Sequence, residues 1–139
     1  MNVLVDTAVW SLALRRKNGN LATRERLLVA ELSELIREGR ARLIGLVRQE
    51  LLSGLRNAEQ YENLRQSLRA FPDEPMETSD HEEAAKAGNQ CRAKGVAASI
   101  VDILLCAVAT KRDWAIFTTD PDFLNYAKVL PVKLHTPRT

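Results

Sequence analysis

Four acidic residues stand where solvation does not readily explain a carboxylate. Asp6 ends the apolar run Val3-Leu4-Val5 in NVLVDTAVW, and Glu50 lies in LVRQELL directly before two leucines. Asp102 carries the one charge in SIVDILLCAVA, and Asp120 closes AIFTTD. Each has a plain local explanation. Asp6 and Asp120 suit helix N-caps, Ser99-Ile100-Val101-Asp102 fits a capping box, and Glu50 can pair with Arg48 on a helix surface. Taken together the local explanations leave something over. Three of these acids sit at expected helix starts, and in an α/β fold such starts gather along one edge of the sheet. Two carboxylates about 4 Å apart repel by roughly 4 kcal/mol at an effective dielectric of about 20. The usual compensation for such a cluster is a hard divalent cation bound through oxygen, with Mg²⁺ or Mn²⁺ typical.

The elements that must position these acids follow from hydrophobic patterning. Val3–Val5 reads as a buried strand. Residues 22–38 read as a helix with Leu28, Leu32, Leu35 and Ile36 on one face and Gly39 as its stop. Residues 42–45 form a strand candidate, and LVRQELLSGLRN has helical spacing. Tyr61, Leu64, Leu68 and Phe71 share a helix face that must end before Pro72. Residues 72–78 read as a linker. Ser79-Asp80-His81-Glu82 has the capping-box pattern and opens a helix to about Gly95. A second helix runs from Ser99 to about Arg112. Ala115–Phe117 is a strand, Pro121 opens a short helix, and residues 132–134 form an edge strand. Strands alternating with helices predict an α/β layer architecture around a mostly parallel sheet. Such sheets bind ligands beyond the carboxyl ends of their strands, the edge at which Asp6 and Asp120 stand.

Bulk properties set the frame. The chain has 139 residues, 45% hydrophobic and 27% charged, with a net charge of +2, too small to argue for a nucleic-acid partner by itself. One domain over 1–139 is expected. Cys91 and Cys106 lack any CxxC or Cys/His spacing, which favours free thiols in a cytoplasmic protein over a zinc site. No apolar run approaches the roughly 20 residues that span a bilayer, and no basic-then-apolar leader is visible, so no membrane association is expected.

The four acidic stretches also carry a family resemblance. VLVDTAVW is similar to the opening of PIN-domain proteins, ELLSGL to their second acidic motif, GVAASIVDILLCAVA to the third and FTTDPDF to the fourth. Asp102 and Asp120 are 18 positions apart, a spacing that suits the family, and the likeness spans residues 1–135. In length and motif order the chain resembles the VapC toxins of toxin–antitoxin pairs. The resemblance implies a three-layer α/β/α domain with a mostly parallel central sheet of four to five short strands. It implies a metal-dependent endoribonuclease in which Asp6, Asp102 and Asp120 ligate Mg²⁺ or Mn²⁺, Glu50 completes the pocket and orients water, and cleavage leaves a 5′-phosphate and a 3′-hydroxyl. It further implies an RNA substrate, a cognate antitoxin and a homodimer. Ala8 stands where the family commonly has Ser, so polar support is expected from Thr7 and Thr119. Between Asp120 and Asp122 the ligand assigned is Asp120, which follows the strand directly, with Asp122 supporting it from behind.

An acidic pocket repels RNA, so basic residues must offset it. The candidates are Arg15, Arg16, Lys17, Arg48, Lys111 and Arg112. Trp10 reads as a core residue, and His81 and His135 as surface residues. Two rival functions belong to other classes. A catalytically silent PIN-fold module that binds RNA or protein would not require all four acids. A phosphotransfer domain of the haloacid-dehalogenase type would carry a second Asp two positions after Asp6, where this chain has Ala8.

Overall fold

Val3, Leu4 and Val5 are completely buried, as an unbroken apolar run must be when both faces of its sheet are covered. They form β1 (Val3–Val5), the inner strand from which the domain is built. The computed structural model describes residues 1–15 and 21–138. Its sheet has four strands in the order β2-β1-β3-β4, with β2 at Ala41–Arg42, β3 at Ala115–Phe117 and β4 at Lys133–Leu134. All neighbours pair in parallel, Leu4 opposite Arg42 on one side and Ile116 on the other. Helices complete a three-layer α/β/α arrangement. They are α1 (Thr7–Leu14), α2 (Thr23–Arg37), α3 (Gly45–Leu52), α4 (Ala58–Leu68), α5 (Thr78–Ala93), α6 (Ile100–Arg112) and α7 (Asp122–Val129).

The helix boundaries have identifiable causes. Gly39, at φ +70°, takes the left-handed turn that ends α2. The Asn57 carboxamide oxygen accepts from the Glu59 and Gln60 amides at 2.9 and 3.0 Å and starts α4 three residues ahead of its first expected apolar position. The same helix ends at Leu68, leaving Phe71 beyond it. Helix α5 begins at Thr78, earlier than its pattern predicts. The Asp80 carboxylate accepts from the Glu77 amide at 2.8 Å, so the cap is built around Asp80 and Ser79 does not serve it. Helix α6 is buried from Ile103 through Ala109 without a break, which makes it the central helix against which the sheet packs. Two strands are shorter than expected: β4 begins at Lys133, leaving Val132 outside it, and residues 43–45 leave the β2 ladder, with Leu43 bridging Asp73 and Gly45 opening α3. Pro121 sits just before α7 in helical conformation, so the first helical residue is Asp122.

Trp10 is fully buried, donates its indole N–H to the Val5 carbonyl at 3.1 Å and packs on Phe71 at 4.9 Å between ring centres. It is a core residue and is closed to base stacking. His135, expected at the surface, is partly buried. Its Nε2 lies 2.7 Å from the Glu31 carboxylate and its ring meets Phe117 edge-on at 5.3 Å. No helix among the described residues is long and apolar enough to cross a membrane.

Candidate metal centre

The parallel order brings the end of β1 beside the end of β3, and that junction carries the first site residue. The Asp6 amide donates to the Phe117 carbonyl at 2.9 Å, and the Asp6 carbonyl accepts from the Val9 and Trp10 amides of α1. Asp6 is therefore a helix N-cap, as its local context predicts, and its carboxylate is nonetheless committed to the site. Oδ1 accepts from the Thr7 amide at 2.8 Å, and Oδ2 accepts from the Thr118 hydroxyl at 2.7 Å. The same Thr118 oxygen accepts the Asp120 amide at 3.0 Å. One hydroxyl thus couples the first and fourth acidic stretches.

Asp102 arrives from a different element. Ser99 caps α6 by accepting the Asp102 amide at 3.1 Å, so half of the expected capping box forms. The Asp102 carboxylate is occupied elsewhere: its Oδ2 accepts from the Tyr126 hydroxyl of α7 at 2.9 Å. Asp120 accepts the Asp122 amide on its own Oδ1 at 2.9 Å, a tight turn that opens α7. Among the described residues, one carboxylate oxygen each from Asp102, Asp120 and Asp122 lie within 4.8 Å of one another. Asp122, expected behind the ligands, thus presents its carboxylate beside them, because the turn at Asp120 folds the two acids to the same side. Glu50, on α3, is exposed and is held at the rim by the Thr7 hydroxyl, which donates to its Oε1 at 2.6 Å.

Thr119 is exposed and faces a separate shallow cleft with Ala8, Ser11 and Arg24. The supporting hydroxyl on this strand is Thr118. Successive residues of an extended segment point to opposite sides, and only one of two adjacent threonines can face Asp6. Neither Thr118 nor Tyr126 was expected from sequence. The period-two alternation from buried Phe117 could have distinguished Thr118 from Thr119; Tyr126 left no local signal at all.

The electrostatics are those of concentrated negative charge. Burial pushes the Asp6 carboxyl up to about 6, against the lowering effect of its Thr118 and Thr7 hydrogen bonds, and the charges of Asp102 and Asp120 push it the same way. Asp102 is raised as well, first by burial and then by Asp120 and Glu50, with the Tyr126 hydrogen bond opposing. The Tyr126 phenol is raised by burial and by its bond to Asp102, so at neutral pH it is a donor. Below the site, burial pushes the Cys106 thiol up to about 12, a packed and unreactive sulfur.

Among the described residues, no Lys or Arg pairs with Asp6, Glu50, Asp102, Asp120 or Asp122. Acids elsewhere in the chain are treated differently. Buried Asp80 is held by Arg112 at 3.0 Å and Lys111 at 3.2 Å, and buried Glu31 by Arg138 at 2.7 Å. The oxygens of Asp102, Asp120 and Asp122 are anionic and grouped about as closely as the ligands of one hard cation, whose oxygens stand roughly 3–4 Å apart at bond lengths of about 2.1 Å, while Asp6 and Glu50 lie outside this group. These residues fit Mg²⁺ or Mn²⁺, and they lack the His or Cys that zinc favours.

The fold and the acidic pocket together define an α/β domain with a carboxylate site at the carboxyl edge of its parallel sheet. The family model for the PIN domain matches residues 3–129, and the chain belongs to the PIN-domain family. No curated protein matches it significantly. Solved structures do. FitAcB from Neisseria gonorrhoeae is 22% identical with a TM-score of 0.75, over 97% of each chain. VapBC2 from Rickettsia felis, bound to a DNA fragment from their promoter, is 13% identical with a TM-score of 0.73, over 97% of this chain and 98% of that one. VapBC-1 from nontypeable Haemophilus influenzae is 14% identical with a TM-score of 0.71, over 97% of each. At these identities the likeness is one of fold.

Proposed function

We propose that the protein is a metal-dependent endoribonuclease and the toxin component of a toxin–antitoxin pair. The observation that carries this reading is a set of five carboxylates, Asp102, Asp120 and Asp122 within 4.8 Å of one another and Asp6 and Glu50 coupled to them by charge, without a neutralising side chain among the described residues. Asp102, Asp120 and Asp122 would hold Mg²⁺ or Mn²⁺ with Asp6, and Glu50 closes the rim. When bound, the cation supplies Lewis acidity toward the scissile phosphate and toward water. The chain's own residues do the rest. Asp6 and Asp120 are kept in register by Thr118, and Asp102 is kept in place by Ser99 and Tyr126. Glu50, steadied by Thr7 on one oxygen, has its other oxygen free to orient the attacking water. Water's hydroxyl adds to phosphorus, the bond to the 3′-oxygen breaks and that oxygen takes up a proton, leaving a 5′-phosphate and a 3′-hydroxyl.

The substrate's phosphates need cations. Three of the candidates are committed within the protein. Arg48 binds Asp73 and the carbonyls of Leu68 and Phe71, Lys111 binds Ser79 and Asp80, and Arg112 binds Asp80 and Glu74. Arg16 and Lys17 lie outside the described residues. Arg15 is exposed, and so is Arg24, which lines the cleft beside Thr119 and Ala8; these two are our assignments for phosphate contact. Support for a protein partner comes from the family resemblance and from the VapBC and FitAcB assemblies that share the fold. A cationic side chain of an antitoxin would pair with the exposed acids, and the active unit is a homodimer.

The test is incubation of the protein with labelled RNA in Mg²⁺, then in excess EDTA, then with Mg²⁺ restored. Cleavage that follows the metal supports the proposal, and cleavage that persists in full after exhaustive chelation overturns it. Retention of RNA without cutting would favour a silent binding module.

A further inference from the structure

Tyr126 is buried to 1% exposure, and its ring is locked edge-on against Phe123 at 5.0 Å. A phenol so placed has little freedom, and its hydroxyl is spent on one atom, Asp102 Oδ2. Asp102 itself is anchored at the backbone by Ser99. One oxygen of Asp102 is therefore bound to protein, and the other accepts no hydrogen bond from the described residues. The neighbouring Asp120 has the same arrangement, with Oδ1 accepting the Asp122 amide.

This division of oxygens matters for the choice of ion. Mg²⁺ takes about six oxygens at about 2.0–2.1 Å in a near-octahedral shell and binds a carboxylate through one oxygen, while Ca²⁺ takes 6–8 oxygens at about 2.3–2.6 Å and readily accepts both oxygens of one carboxylate. A carboxylate oxygen that accepts one hydrogen bond keeps a second lone pair, so a fixed donor does not close it, but the donor disfavours two-oxygen chelation and directs a cation toward the other oxygen. We infer that Tyr126 is a positioning residue that holds Asp102 in one-oxygen coordination and thereby sets the selectivity of the site for Mg²⁺ over larger cations. The role rests on the metal reading of the acidic pocket. It also explains why a tyrosine hydroxyl from α7 reaches a carboxylate that a capping box would have turned back on its own helix.

The experiment is direct titration of metal-free wild type and Tyr126→Phe with Mg²⁺ and with Ca²⁺, by calorimetry and by thermal shift. The phenylalanine ring fills the same space, and melting in EDTA reports whether the variant folds. Mg²⁺ affinity should fall about tenfold, the lower end of the usual cost of losing a residue that orients a metal ligand. Ca²⁺ affinity should hold or rise, so the preference for Mg²⁺ shrinks by about tenfold or more. RNA cleavage should weaken at limiting Mg²⁺ and recover at saturating Mg²⁺. Equal losses for both ions, or no change for either, would overturn the selectivity role while leaving the nuclease reading intact. A wild type that binds neither ion would remove both.

A second measurement does not depend on the variant. Tyr61 and Tyr126 are the two tyrosines of the chain, and Tyr61 lies exposed on α4. In Tyr61→Phe protein labelled at tyrosine Cζ, the single resonance should move on Mg²⁺ addition with the calorimetric Kd. A resonance that stays fixed while Mg²⁺ binds would overturn the proposal.

Discussion

At the scale of single residues, the site is a set of hydrogen bonds that commit acids to positions they would not choose. Asp6 is the clearest case. Its ordinary value of 3.8 is raised to about 6 in the folded chain, so the folded state binds that proton more tightly than the unfolded state. The resulting cost is absent below about pH 4 and fully present above about pH 6, which means that this group lowers apo stability as pH rises through that window. At about 1.4 kcal/mol per unit, the cost is on the order of 3 kcal/mol. Asp6→Asn in EDTA should therefore melt higher than wild type at pH 7.5, with the gap closing as pH falls toward 4. Chemical denaturation across pH checks this, and a gap independent of pH would refute it. With Mg²⁺ the order should reverse, because binding to the folded wild type adds RT ln(1 + [L]/Kd). The adjacent threonines offer a second contrast. Thr118→Val removes the donor to Asp6 and the acceptor for the Asp120 amide, and cleavage should fall about 10–100-fold, as for other groups that orient metal ligands. Thr119→Val should stay within about twofold, since its hydroxyl bonds none of the five acids. Initial cleavage rates for the two variants, with melting curves alongside, make the comparison.

At the scale of elements, the acidic pocket depends on helices whose far ends are fastened by ion pairs. Arg112, at the C-terminal end of α6, donates to both oxygens of Asp80 at 3.0 and 3.2 Å and to Glu74 at 3.0 Å, and its guanidinium lies over Trp114. Asp80 is completely buried at the start of α5, and the Arg112 guanidinium holds its carboxyl well below the usual range. A folded value below the unfolded one contributes stability above about pH 4 that is lost as pH falls through the folded value. Asp80→Ala should cost about 3–5 kcal/mol, since it leaves Arg112 without its buried partner, and this loss should shrink in strong acid. Denaturant titration at pH 7 and pH 3 tests it. Arg112→Ala should destabilise in the same way. At matched folded fraction its affinity for RNA should be unchanged, which filter binding can read and which separates this arginine from the phosphate contacts assigned to Arg15 and Arg24.

Across the whole molecule, the chain closes on itself through a second charged cluster. Glu31 on α2 is buried and meets His135 at 2.7 Å and Arg138 at 2.7 Å; Arg138 also grips Glu38 with two bonds of 2.9 and 3.0 Å. These contacts span about a hundred residues of chain and tie the segment after β4 to α2. Arg138 is about half exposed, so Glu31→Ala should cost less than a fully buried pair, about 1–3 kcal/mol. Urea unfolding with an unchanged m-value should show it, and cleavage under folding conditions should be retained. The homodimer is a whole-molecule prediction too. Light scattering should give twice the chain mass at micromolar concentration, and a monomer at high concentration would remove the dimer without touching the nuclease reading.

What the sequence determined by itself is the local and periodic part of this protein. Val3–Val5 and Ala115–Phe117 had to be inner strands because only a two-sided core accepts such runs. Ile103–Ala109 had to be a central helix for the same reason, and Asp6, Asp102 and Asp120 were conspicuous as charges bordering those segments. Gly39 and Ser99 marked helix ends through backbone chemistry that acts within a few residues. The tertiary structure decided which atoms face one another. It chose Thr118 over Thr119, turned Asp122 toward Asp102, gave Asp102 a phenol from 24 positions away, withdrew Arg48, Lys111 and Arg112 into internal ion pairs, and set a partly buried His135 against Glu31. Side-chain partnership falls off over a few ångströms, while the residues concerned are up to 112 positions apart. Only the strand order β2-β1-β3-β4 and the packing of α6 and α7 against it bring them within reach.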